Sequence, residues 1–462
     1  RDRYVIMVAD DSTRPELREP LERYCAERGL WYHHREDRRG FKAGALNEAL
    51  AATPDDADLI AVIDADYQIE PTYLQETVGH FVNPRLGFLQ TPQDYRNLQQ
   101  SFLARQYYVA DAYFYRAVLP SRNEGNAIIF CGTMGIIRRT ALEQVGGWGE
   151  GYITEDAELS ARILRAKWES LYVNKTYGRG LMPATFDGYK KQLHRWAFGG
   201  VQILKGHAGD LFRRGLTSRQ KLDFLVGGIH WFDGVYIVII ALALATMGIA
   251  DLLGRQVVTH HARELGLVAL IPIFLLVDGL ARLHLALKPS LRLPLGATFG
   301  VMGMWYATKF NNAHAALKAL IGIKMPFVRT PKAPTQRVGA REALGLALKL
   351  TRFETFMSIA MLGISLAVVG KTLALWAGTG SVAPARVFLA GWLGYHSLLF
   401  ATAPIYAYRS YVTFAPDEEP PAEPAAAATF TGFDEREPPA RSPLPPSSRP
   451  ANLTQVPGQP RL

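Results

Sequence analysis

The chain has 462 residues, 48% of them hydrophobic, and a formal net charge of +9. That length allows two or three domains, and the positive balance admits two partners, nucleic acid or an anionic membrane face. Its two cysteines, Cys25 and Cys131, lie far apart without C-x-x-C or Cys/His spacing, which excludes a disulfide framework or a zinc site and fits a reducing compartment.

In chain order, Tyr4 to Ala9 clusters β-branched and apolar residues and runs into Asp10-Asp11, the pattern of a buried strand ending in acids. In an open α/β sheet the carboxyl ends of strands face the ligand crevice. A helix is expected over 15 to 29, with Pro15 near its start and Gly29 after its end, then a short strand from Leu30 to His34. Residues Gly40 to Asn47 place small residues around Lys42 at a helix start, which suits close approach to an anion or, equally, an ordinary glycine-led loop. The two His pairs, His33-His34 and His260-His261, lack metal-ligand spacing and read as solvated. Leu59 to Ile63 is an apolar strand followed by Asp64-x-Asp66, two carboxylates able to hold a hard divalent cation shared with phosphate.

Gly87 to Thr91 reads as another strand, 97 to 119 as mostly helical, and Ile128 to Ile137 as an apolar strand interrupted by Cys131-Gly132-Thr133. Thr154 is expected to cap a helix that begins with Glu155 and Asp156, acids that the helix dipole alone would explain. Tyr189 to Gly200 follows, with Gln192, Arg195 and Trp196 on one helical face. An amide, a planar cation and an indole together suit a diphosphate beside a sugar ring, and also an amphipathic helix at a membrane surface.

From about residue 206 the character changes. Spans are expected near 230 to 250, 264 to 287, 353 to 372 and 385 to 408, each close to the roughly 20 apolar residues that a crossing helix needs. Residues 295 to 322 read as an interfacial helix and 325 to 334 as a loop. Between residues 288 and 352 eleven Lys or Arg face one acid, Glu342; between spans such an excess marks the cytoplasmic side and argues against nucleic acid. Residues 412 to 462, rich in Pro and Ala, read as a disordered tail. The expected organisation is a cytoplasmic α/β domain over 1 to 205, a membrane domain of about four helices over 206 to 411, and that tail.

Taken in order, Asp10-Asp11, Lys42-Ala43-Gly44, Asp64-x-Asp66, Phe130-Cys131-Gly132-Thr133, Thr154-Glu155-Asp156 and Gln192-x-x-Arg195-Trp196 resemble the processive family-two glycosyltransferases of the bacterial cellulose synthase kind. The loop Phe327, Val328, Thr330, Lys332 is similar to that family's gating loop, with Arg329 standing between Val328 and Thr330. The resemblance implies a GT-A domain, a mixed and mostly parallel sheet flanked by helices, lacking its first strand here and followed by transmembrane helices. It implies Asp156 as general base; Asp10, Asp11, Lys42, Asp64, Gln192 and Arg195 at the nucleotide sugar; Asp66 with Asp64 holding Mg2+ or Mn2+; and Trp196, Cys131 and Glu155 at the acceptor. The implied partners are a UDP-sugar donor, a growing polysaccharide, the lipid bilayer of a bacterial inner membrane, and an accessory export or periplasmic subunit. The implied reaction makes a β-linked glucan from UDP-glucose and extrudes it. Chitin, curdlan, mannan and hyaluronan synthases share the motifs, and a transporter or silent scaffold is the reading of another class.

Overall fold

The computed structural model describes residues 4–98, 102–255, 295–325 and 338–413, with scattered positions between 277 and 285. The gating-like residues Phe327, Val328, Thr330 and Lys332, most of the expected span 264 to 287, and the tail beyond 413 lie outside the described residues.

The strands are β1 (Met7–Asp10), β2 (Trp31–His34), β3 (Leu59–Val62), β4 (Gln68–Ile69), β5 (Leu86–Gln90), β6 (Asp94–Tyr95), β7 (Gly135–Arg138), β8 (Glu169–Tyr172) and β9 (Gly178–Gly180). They form a parallel pair β1-β2, a sheet in the order β3-β7-β5-β8, and a three-stranded sheet β4-β9-β6. The sheet expected to be mostly parallel is evenly mixed: β1-β2, β5-β8 and β6-β9 run parallel, while β3-β7, β5-β7 and β4-β9 run antiparallel. The antiparallel β7 lies between β3 and β5, a pairing that the spacing of acidic motifs along the chain does not reveal. β1 and β3 each pair on one side only among the described residues, and both border the same cavity.

β5 is buried along its whole length, as a central strand covered on both faces must be. Phe88, Phe130, Ile137, Leu159 and Ile163 make the core beside it. The expected strand from Ile128 shortens to β7, because the Cys131–Met134 segment turns out of the extended region: Gly132 and Met134 have φ of 77° and 54°. Its amides are satisfied by side chains instead, Phe130 N–H donating to Ser160 Oγ at 2.7 Å and Cys131 N–H to Gln90 Oε1 at 2.8 Å. The helix over 102 to 123 contains a π-helical turn at Phe114–Val118.

Among the described residues two helical stretches are long and apolar enough to cross a membrane, Ser218–Leu252 and Arg352–Thr379. The Pro384–Val412 helix packs on the second of these through Leu389, Leu393 and Phe400. It also reaches the α/β region, where Ala403 and Tyr406 join Tyr107, Phe186 and Tyr189. Residues 295 to 322, expected as one helix, form two, Leu295–Ala307 and Lys309–Ile321. Ala315, Ala316 and Ala319 bury the second against Ala197, Phe198 and Val201 of the Phe186–Gly206 helix.

Candidate active site

The strand ends and two helix starts converge on one cavity of about 3150 Å3. Binding pockets for single small ligands are commonly about 300–1,000 Å3, so this one has room for a donor and a chain end together. Asp10, Asp11, Lys42, Asp64, Asp66, Cys131, Asp156, Gln192, Arg195 and Trp196 all line it. Glu155 is buried beside them, 6% exposed.

At one side, Asp10 Oδ1 accepts hydrogen bonds from Ser12 N–H (3.0 Å) and Ser12 Oγ (2.6 Å), and its Oδ2 accepts from Tyr32 O–H at 2.9 Å. His34 Nδ1 lies 3.2 Å from the same oxygen, so His34 belongs to this network and is not the solvated residue expected from its spacing. Burial raises the Asp10 carboxyl, but these hydrogen bonds outweigh it and hold the group below its usual value. Asp11 receives a two-pronged clamp from Arg35, Nε to Oδ1 at 2.6 Å and a terminal nitrogen to Oδ2 at 2.8 Å. The open side of Gly44 admits Arg35: a Cβ built there would meet its guanidinium at 2.6 Å. Smallness at this helix start thus makes room for an arginine inside the protein.

At the other side half-buried charges surround the buried Glu155. Lys42 Nζ donates to Asp64 Oδ1 at 2.6 Å and to the Gly132 carbonyl at 2.8 Å. Burial lowers its ammonium, yet the charges of Asp64, Glu155 and Asp156 raise it above its usual value. Burial pushes the carboxyls of Glu155 and Asp156 up, against the pull of Lys42 and Arg195. Burial likewise lowers the Arg195 guanidinium, opposed by Asp156, Glu155 and Asp64. Thr154 makes no side-chain cap to the Glu155–Arg165 helix, and its Oγ1 has no partner among the described residues. It packs instead on Gly199, where a Cβ would stand 2.2 Å from that oxygen, while Asp156 Oδ1 accepts Ala157 N–H at 2.8 Å. Gly199 therefore lets the helix carrying Arg195 and Trp196 close onto the segment carrying Asp156. Gly132 does the same from below, since a Cβ there would lie 2.5 Å from Asp156 Oδ2.

Asp64 and Asp66 supply oxygen donors two residues apart; Asp66 Oδ2 accepts Leu181 N–H at 3.0 Å. Among the described residues no group of three His, Cys, Asp or Glu could hold a metal ion alone. One or two carboxylates fit Mg2+ or a similar hard cation only when substrate phosphates complete the set.

Several residues in or beside the cavity escape a reading by motif. Gln90 grips the Cys131 turn, its Nε2 donating to the Thr133 carbonyl at 2.9 Å. Tyr107 O–H donates to Gln192 Oε1 at 3.0 Å, turning that amide's N–H groups away from itself. Asp111, buried four residues further along the same helix, accepts from Tyr95 O–H at 2.5 Å. The one trace they leave in sequence is Tyr107 and Asp111 at helical spacing amid aromatic residues.

Residues 59–280 match the family "Glycosyl transferase family group 2". That stretch is a glycosyltransferase domain. Over 233 residues the chain is 30% identical to a probable glucomannan 4-beta-mannosyltransferase 4 of Oryza sativa subsp. japonica, covering 48% of this chain and 42% of the relative. It is 32% identical to glucomannan 4-beta-mannosyltransferase 9 of Arabidopsis thaliana, covering 48% and 44%. The chain thus spans less than half the length of these two curated relatives. Among solved structures the chain is similar to mannosyltransferase PcManGT from Pyrobaculum calidifontis, in complex with GDP-Man and Mn2+, at 18% identity and a TM-score of 0.45 over 70% of this chain and 80% of that one.

Proposed function

We propose that this chain is an inverting glycosyltransferase of the cellulose synthase-like type that builds a β-linked hexose polymer at a membrane. The observation that carries the reading is the half-buried Asp156 carboxylate, set beside Lys42 and Arg195 in a cavity large enough for donor and acceptor. An acceptor hydroxyl attacks the anomeric carbon, the bond from that carbon to the diphosphate oxygen breaks, and the nucleotide diphosphate leaves with the electron pair. Asp156 takes the hydroxyl proton, a task for which burial has raised its proton affinity. Arg195 and Lys42 offer positive charge to the leaving group in a partly dry site, and Gln192 adds N–H donors. Trp196 provides an apolar face for the chain end, with Cys131 as a small neutral neighbour.

A divalent cation held by Asp66 and Asp64 together with the diphosphate would supply further charge neutralisation there. Asp10 and Asp11, saturated by their own partners, shape the nucleotide end. A GT-A-like reading of the domain agrees with its mixed sheet flanked by helices. The relatives are named as mannosyltransferases, which favours GDP-mannose as donor, while the motif order favours UDP-glucose. The basic 288 to 352 segment supports a cytoplasmic active site with Ser218–Leu252 and Arg352–Thr379 in the bilayer.

The test incubates membranes holding the full-length protein with radiolabelled GDP-mannose, UDP-glucose and UDP-N-acetylglucosamine, with and without Mn2+ or Mg2+. Polymer is then digested with β-mannanase or cellulase. We expect cation-dependent incorporation from one hexose donor, and release of no nucleotide diphosphate from any donor would end the proposal.

A further inference from the structure

The scheme above leaves one buried carboxylate of the cavity unused. Asp111 sits near the end of the Phe102–Tyr113 helix, one turn beyond Tyr107, and both line the cavity. Asp111 is 8% exposed and accepts from Tyr95 O–H. The Tyr95 ring packs 5.8 Å from that of Tyr107, whose hydroxyl holds Gln192. Two phenols therefore tie Asp111 to the helix that presents Arg195 and Trp196. The Cys131 thiol, pushed up by burial and then by Asp156, also feels the charge of Asp111, so both carboxylates act on the surroundings of one turn.

A second group points the same way. Tyr67 lines the cavity, and its buried hydroxyl has no hydrogen-bond partner among the described residues. Burial, then the charge of Asp111 ahead of Asp64 and Asp66, pushes this phenol well above its usual value. A buried hydroxyl without a partner costs on the order of 1–3 kcal/mol. Asp111 adds acceptor oxygens to the same cavity. Together the phenol and the carboxylate suit a neutral molecule with neighbouring hydroxyls. A diphosphate is repelled by the same carboxylate and remains at Lys42 and Arg195.

We propose that Asp111 and Tyr67 form a hydroxyl-reading subsite for the acceptor sugar. Asp111 accepts hydrogen bonds from ring hydroxyls, the Tyr67 phenol binds a neighbouring one, and together they determine which chain end is accepted. The proposal rests on the glycosyl-transfer reading and adds specificity to it.

The experiment measures transfer by the full chain in membranes at varied concentrations of nucleotide sugar and of a β-1,4-linked hexose oligosaccharide. Asp111→Asn is expected to raise the acceptor KM about tenfold or more, the loss that goes with a hydrogen bond to an ionised group, while the donor KM moves less than about twofold. Tyr67→Phe, which deletes one oxygen, is expected to raise the acceptor KM about threefold. An acceptor KM that stays put in Tyr67→Phe, or a donor KM that rises in step with it, overturns the subsite, and this variant decides if Asp111→Asn does not accumulate. A wild type that transfers from no donor removes both readings. Transfer by the wild type with unmoved variants removes the subsite alone.

Discussion

Asp10-Asp11 and Glu155-Asp156 look alike on paper, two adjacent acids after an apolar or small-residue stretch, yet the protein treats them in opposite ways. The first pair is saturated: Ser12, Tyr32, His34 and the Arg35 fork hold it, and Asp10 stays ionised below the ordinary carboxylate range. In the second pair Glu155 is buried and Asp156 half-buried, and desolvation pushes both carboxyls up. Fixed hydrogen-bond donors make a permanent anion suited to organising backbone. Desolvation makes a carboxylate with raised proton affinity, which suits it to take a proton from a sugar hydroxyl.

The sharpest way to break this contrast is Asp156→Asn. We expect it to lower polymerisation by about a thousandfold, within the range for loss of a general base. Nucleotide-sugar binding, followed by titration calorimetry, should survive; retained turnover would make the two acid pairs equivalent after all. On the other side, Arg35→Met leaves Asp11 without its clamp and should cost about 3 kcal/mol of stability in denaturant unfolding, as removal of one partner of a buried ion pair does. An unchanged midpoint would mean that the Asp11 pairing holds nothing together.

Next in size, Gly132→Ala forces a methyl onto Asp156 Oδ2 at a φ of 77°, and should reduce kcat about a hundredfold by displacing the base. The nucleotide-sugar Kd should stay within about threefold, and normal turnover would mean the turn yields. The transfer rate itself should climb as pH rises through the elevated Asp156 carboxyl, and a profile flat from the ordinary carboxylate range upward would contradict its burial.

The smallest effect concerns His207, whose Nε2 lies 2.9 Å from Glu158 and Nδ1 3.0 Å from Asp210. The Glu158 hydrogen bond, against burial, raises its imidazole above the ordinary value of 6.5. Its protonated form thus contributes stability that is complete below that value and is lost as pH rises through the raised one. A fall of about 1 kcal/mol, the size of one hydrogen bond, should appear in unfolding titrations and flatten in His207→Gln.

Much of this arrangement was legible in advance because acids at strand ends and an i, i+3, i+4 set on a helix have few other uses. The cavity gathers Asp10, Lys42, Asp66, Asp156 and Arg195 from a chain stretch of nearly two hundred residues. Local periodicity could not show that Ile128 to Met134 abandons the strand, since its amides are taken by Ser160 and Gln90 from distant elements. The same blindness hid Arg35, whose pocket exists because Gly44 leaves space, and Asp111, which reads as one more polar residue in a helix until Tyr95 and Tyr107 close around it.

The Phe186–Gly206 helix was expected to mark a seam at residue 205, and elements from beyond that residue pack closely against it. Lys190 Nζ meets Glu354 at 2.7 Å, and the Lys190 carbonyl accepts Asn311 Nδ2–H at 3.0 Å. Amputating the protein after residue 205 would strip an alanine-lined groove from Phe198 and Val201 and strand a buried ammonium. The half that carries Arg195 and Trp196 therefore shares its packing with the helices that follow it, and a truncation at residue 205 is expected to lower its stability.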